Sequence, residues 1–170
     1  MGIDKTFELA YAKACLAAGQ QLPEAGAGVF ISVRDDDKDA IGPVVKGLQT
    51  LGFKLYATQG TKEAMSKAGV EAELIYKINE GRPNAEDGLV NGEVKMMIVT
   101  SQGDEPDVRD GRELRRKALE LNVPLVTTVS GAAATVGALQ VLQQGAVEQV
   151  ALQEYFTKLP TSGSPIAPNV

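Results

Sequence analysis

The chain has 170 residues, 44% hydrophobic and 23% charged, enough for one globular domain with a real core and unlike disordered or fibrous compositions. Its 17 Lys and Arg against 22 Asp and Glu leave a net charge of −5, which gives no general attraction to nucleic acid or an anionic membrane, so any anionic ligand must be caught by a local site. There is no histidine, which removes the commonest general base and metal ligand and argues against zinc chemistry and Ser-His catalysis.

The first amphipathic pattern, Asp4 to Ala18, places Phe7, Ala10, Tyr11, Ala14, Cys15 and Ala18 at helical spacing, with Asp4 as its expected N-cap and Gly19 as its stop. Cys15, the single cysteine, reads as a small buried thiol in a reducing, cytoplasmic compartment. Gln20 to Gly26, with Pro23 and a closing glycine, reads as a linker. Residues 1–26 are thus an opening helix and linker, residues 27–158 the main domain, and residues 159–170, with three prolines, a disordered tail.

From Gly28 onward, strand and helix patterns alternate. Val29 to Val33 is an apolar run, and Lys38 to Leu51 carries Ile41, Val44, Val45, Leu48 and Leu51 on one helical face. Phe53 to Ala57 is a second strand, Thr61 to Ala68 a short helix, Ala72 to Tyr76 a third strand and Val94 to Val99 a fourth, with a Gly-, Pro- and Asn-rich loop and one helical turn before it. Asp107 to Leu121 is a charged helix, Val123 to Thr127 a fifth strand, and Gly131 to Gln144 a buried helix behind a Ser130 N-cap; Glu148 to Leu159 suits either strand or helix. No charge falls between Glu120 and Glu148, but Asn122, Pro124 and several Gln and Thr make that stretch a buried strand and helix rather than a membrane span. The alternation predicts an α/β fold, a doubly wound sheet of about five parallel strands with ligands at the carboxyl ends of the strands.

Those ends carry small hydroxyls or a lysine: Ser32 after strand one, Thr58-Gln59-Gly60-Thr61 after strand two, Lys77 after strand three, Thr100-Ser101 after strand four and Thr127-Thr128 after strand five. A phosphate wants N–H groups at a helix start, short hydroxyl donors, one or two ammonium groups and glycine at the closest approach. Thr58 to Thr61 supplies hydroxyls and glycine, while Lys38, expected in the first turn of its helix, and Lys77 bring two positive charges. Taken singly, Thr-x-Gly-Thr is a helix cap and Lys38 a solvated lysine; it is their convergence on one edge that favours a ligand site. Asp35-Asp36-Asp37 reads as N-terminal helix acids rather than a magnesium site. Arg109, Arg112, Arg115 and Arg116, interleaved with Asp110 and Glu113, read as a solvated, salt-bridged face.

Ile31-Ser32-Val33-Arg34-Asp35 followed by Lys38, then Ala57 to Thr61, Lys77, Glu80-Gly81-Arg82-Pro83, Asn91-Gly92-Glu93, Arg115-Arg116 and Thr127-Thr128, closely resemble the methylglyoxal-synthase-like domain that ends carbamoyl-phosphate synthetase large subunits. The resemblance runs from about Gly2 to Lys158 and implies a Rossmann-like sheet of parallel strands. In bacterial members it implies binding of UMP, with IMP competing for an overlapping pocket. Ser32, Lys38, Thr58, Gly60, Thr61 and Lys77 fall on the nucleotide-contacting positions, Ser101 beside Thr100 replaces a ligand-contacting threonine, and Thr127 falls on a position touching ornithine. Val99 departs from the pattern, which has asparagine there, so phosphate capture is better matched than recognition of ribose or base.

The resemblance further implies an allosteric fragment with no catalytic residue, metal or cofactor of its own. The full-length ligase would use ATP with Mg2+ or Mn2+ to make carbamoyl phosphate from bicarbonate and glutamine-derived ammonia, for pyrimidine and arginine biosynthesis. Its partners would be the rest of the large chain and a glutaminase small subunit, with no nucleic acid or membrane; a homo-oligomer is compatible with the sequence. Two other readings compete. Methylglyoxal synthase shares the fold, but Arg34 and Arg82 stand where that family has a histidine and an aspartate, and Gln102 stands near its second aspartate. A pure interaction module would not need Lys38 and Lys77.

Overall fold

The structure is a computed structural model that describes residues 1–76, 80–100, 105–145 and 147, with the side chains of 105–110 left out. The expected tail at 159–170 and the ambiguous stretch from Glu148 to Leu159 lie outside the described residues. In chain order the elements are α1 (Phe7–Ala17), β1 (Gly28–Ser32), a 3-10 turn (Asp35–Asp37), α2 (Gly42–Thr50), β2 (Lys54–Ala57), α3 (Gln59–Lys67), β3 (Glu73–Leu74), α4 (Ala85–Val90), β4 (Val94–Val99), α5 (Glu105–Glu120), β5 (Leu125–Val126) and α6 (Val129–Gln143).

The five strands form one sheet in the order β3-β2-β1-β4-β5, and every neighbouring pair is parallel. The period-2 alternation of strands explains the two cores. Val29 and Ile31 of β1 and Met96 and Ile98 of β4 face one side, where they meet Val44, Val45 and Leu48 of α2, Met65 of α3 and Leu139 of α6. Phe30, Met97 and Val99 face the other, against Leu89 of α4 and Leu114 and Ala118 of α5. Burial on both faces is why Val29–Ile31 of β1 and Met96–Val99 of β4 read as unbroken apolar runs.

Several element boundaries differ from the sequence expectation, each for a local reason. Lys38 does not open a helix: after the 3-10 turn, α2 begins only at Gly42 with Pro43 in its first turn. A helix running from Lys38 would put that proline past its first turn, where the missing N–H breaks the ladder. The N-cap of α1 is Thr6, whose hydroxyl accepts from the Leu9 N–H, while Asp4 accepts from Lys5 N–H and pairs with Lys13 at 2.7 Å. The N-cap of α6 is Thr128, not Ser130; its hydroxyl accepts from the Gly131 N–H. β3 shrinks to two residues, followed by an isolated bridge between Tyr76 and Asn84, because this edge strand has a partner on one side only. Asn84 and Asp87 close a reciprocal capping box that starts α4, the element expected as a single turn.

α6 is largely apolar because α1 and α2 both pack on it, while Ser130, Gln140 and Gln143 stay exposed. Glycines set both approaches: a Cβ on Gly137 would come 2.8 Å from Glu8 Cγ, and one on Gly47 would come 2.6 Å from Val136 Cγ1. Cys15 is 5% exposed, and burial pushes its thiol above the ordinary range.

Candidate functional site

The strand order reverses direction across β1, so the crevice between the carboxyl ends of β1 and β4 is the switch point of the sheet. Backbone and hydroxyl groups close it. The Thr100 N–H donates to the Ser32 carbonyl oxygen, and in return the Arg34 N–H donates to Thr100 Oγ1 at 3.1 Å. The chain leaving β1 is thereby fastened to the end of β4.

On the other side of β1 lies a second hydroxyl group set. Thr61 Oγ1 accepts from the Val33 N–H at 3.0 Å and from the Thr58 hydroxyl at 3.3 Å, and Thr58 Oγ1 lies 3.4 Å from Ser32 Oγ. Thr58, Thr61 and Thr100 are buried polar residues at 5%, 1% and 6% exposure. The two O···O distances exceed the range of good hydroxyl hydrogen bonds, about 2.5–3.0 Å, so these groups retain capacity for a stronger acceptor.

Thr58 is the N-cap of α3 in backbone geometry, yet its side chain caps nothing. Its hydroxyl turns toward Ser32 and Thr61, which leaves the first N–H groups of α3 without a side-chain acceptor. Over this same turn lies Lys38: a Cβ on Gly60 would come 2.8 Å from Lys38 Nζ, so only a glycine admits the ammonium there. Lys38 also pairs with Asp35 at 2.7 Å, and its side chain is 30% exposed against 90% for that of Asp35.

The three aspartates after β1 are thus divided among partners. Arg34 Nε donates to Asp37 Oδ2 at 2.9 Å, with Nη2 at 3.4 Å from Oδ1. A hydrogen bond from the Thr100 hydroxyl, and then Arg34, holds the Asp37 carboxyl below the usual carboxylate range. Among the described residues no group of three or more Asp, Glu or Cys could hold a metal ion.

Of the residues expected from sequence, the structure brings Ser32, Lys38, Thr58, Gly60 and Thr61 into one cluster and links it through Arg34 to Thr100. Thr127 is exposed beyond the end of β5. Lys77, Ser101 and Gln102 lie outside the described residues. Sequence reasoning missed the pairing of Asp35 with Lys38, although the i, i+3 spacing was its signal, and missed the Asp37–Arg34–Thr100 link, whose ends are far apart in the chain.

Residues 40–127 match the family model of the MGS-like domain. The chain is 47% identical over 156 residues to the carbamoyl phosphate synthase arginine-specific large chain, chloroplastic, of Oryza sativa subsp. japonica, and 47% identical over 156 residues to the carbamoyl phosphate synthase large chain of Mesorhizobium japonicum. Each match takes in 92% of this chain but 13% of the relative, so the chain spans a small part of those proteins. Among solved structures, ForH superposes with a TM-score of 0.47 at 20% identity, over 71% of this chain and 81% of that one, a likeness too distant to transfer a site.

Proposed function

Since this chain belongs to the MGS-like domain family, we propose that it is the effector-binding regulatory part of a carbamoyl-phosphate synthase large chain. Its ligand in this reading is a UMP- or IMP-type nucleotide monophosphate, held by the phosphate at the start of α3. One observation carries the reading: the Lys38 ammonium lies over Gly60, in a helical turn whose N–H groups have no side-chain cap. A cation at the positive end of a helix is unfavourable by itself, and an anion between the two satisfies both. Ser32, Thr58 and Thr61 supply hydroxyls around that point, and Thr100 borders it; in this reading Lys77 and Ser101, which follow β3 and β4 in the chain, would add an ammonium and a hydroxyl.

A phosphate-eliminating enzyme of the methylglyoxal synthase kind fits these residues less well. A general base should titrate near neutral pH, whereas Asp37 is held low by Thr100 and Arg34. Arg34 and Arg82 are both exposed and face carboxylates, Asp37 and Asp87. The regulatory role requires the effector to bind two arrangements of the complete synthase unequally. The complete enzyme, with ATP and Mg2+ or Mn2+, the remainder of the large chain and a glutaminase subunit, would make carbamoyl phosphate for arginine and pyrimidine synthesis in the cytoplasm. No helix among the described residues is long and apolar enough to cross a membrane. Thr127 is the ornithine-contacting candidate, and ornithine should bind this chain poorly because the carboxylates that complete its site belong to the synthetase domain.

Calorimetric titration with UMP, IMP and inorganic phosphate tests the proposal. UMP should bind, and Lys38→Ala or Lys77→Ala should weaken it by ~1.5–3 kcal/mol, the worth of a charge-assisted contact. If no nucleotide binds the unaltered chain, a docking module takes the place of the effector site.

A further inference from the structure

Resting on the phosphate-capturing reading above, the geometry points to Asp35 as a built-in counter-ion: its carboxylate holds the Lys38 ammonium until the effector's phosphate takes that place, so Asp35 sets effector affinity. The two partners differ in a way that assigns their roles. Lys38 is the walled partner, 30% exposed and seated over Gly60; Asp35 is the solvated one, 90% exposed and 2.7 Å away. When an anion arrives, it is the aspartate, on the solvent side of the pair, that gives up the ammonium, while the lysine is already where the anion needs it.

The charge balance around Lys38 supports the same assignment. Its neighbours on one side are the uncapped N–H groups of α3, which repel a cation. Asp35 supplies the negative charge that keeps the ammonium there without ligand. This arrangement preorganises the lysine, so less side-chain freedom is lost on binding. It also makes the site an exchanger of anions. A carboxylate ligand would replace one carboxylate with another and gain little from Lys38, whereas a phosphate dianion brings more charge and more acceptor oxygens. Asp37, by contrast, is engaged by Arg34.

The test is calorimetry with UMP at low salt on the unaltered chain, Asp35→Asn, Asp39→Asn, Lys38→Ala, and Lys38→Ala combined with Asp35→Asn. Asp39 is exposed and next to Lys38, so its substitution changes net charge equally without removing the pair. Asp35→Asn should tighten UMP by about 3- to 10-fold, Asp39→Asn should change it less than 2-fold, and the Asp35→Asn gain should disappear when Lys38 is alanine. If UMP binds the unaltered chain and Asp35→Asn leaves affinity unchanged or weaker, the counter-ion role is overturned while the effector site stands. An equal gain with and without Lys38 also overturns it, because Asp35 would then act by general repulsion. If neither the unaltered chain nor Asp35→Asn binds UMP or inorganic phosphate, the effector site itself falls and the counter-ion role with it.

Discussion

Gly60→Ala separates binding from folding. Gly60 is the second residue of α3, so alanine suits the backbone and should stabilise the fold by up to about 1 kcal/mol through helix propensity and a less flexible unfolded chain. The new methyl would stand 2.8 Å from Lys38 Nζ, against an ordinary contact of about 3.5 Å, so the ammonium must withdraw by at least about 0.7 Å. Because the atom that moves is the far end of a flexible side chain, the shift costs little in the absence of ligand. With ligand, it removes the lysine from the first turn of α3 and places a methyl where phosphate oxygens approach the backbone. Loss of a charge-assisted contact of about 1.5–3 kcal/mol corresponds to roughly 10- to 150-fold weaker binding. Urea unfolding and UMP calorimetry on the same preparation read the two effects. UMP affinity equal to that of the unaltered chain would refute the placement of the phosphate; a loss of more than about 1 kcal/mol in stability would refute the account of the packing.

Two further outcomes concern the scaffold of the site. Thr61→Val keeps the shape of a residue that is 1% exposed but leaves the Val33 N–H without its acceptor, so urea unfolding should show a loss of about 1–3 kcal/mol, and Thr61→Ser, which retains the oxygen, should lose less. Asp37→Asn should show a pH signature. A carboxyl held below its usual range contributes stability above its unfolded value, near 3.8, and loses that contribution as pH falls through the lower folded value. The stability difference between the unaltered chain and Asp37→Asn should therefore be constant at neutral pH and shrink below about pH 4; a difference that grows with acidification would contradict the Thr100 and Arg34 contacts.

The order of elements was legible because doubly buried strands leave continuous apolar runs and the covering helices leave one-sided ones. Their ends were less so. Proline chemistry at Pro43 moved the start of α2, and the short edge strands β3 and β5 depend on pairing that no local pattern states. The site divides in the same way. Thr58, Gly60 and Thr61 are neighbours in the chain and could be read together, whereas the acceptance of the Arg34 N–H by Thr100 joins residues 66 positions apart. The hydroxyl of Thr58 shows the limit most clearly: its position before a helix suggests a cap, and only the approach of Ser32 and Thr61 shows that it points elsewhere.

The glycine contacts on the two sides of α6 have a mechanical consequence. With Glu8 of α1 seated on Gly137 and Val136 seated on Gly47 of α2, backbone meets side chain with no slack on either flank. Packed this closely on two flanks, the helix ties the placement of α1 to that of α2, and any larger residue at Gly137 or Gly47 would have to push a neighbour away. The leading end of α6 is the Thr128 cap, just beyond β5 on the edge of the sheet where the hydroxyl cluster lies. The spacing set by these two glycines therefore fixes where the Thr128 cap stands relative to β5.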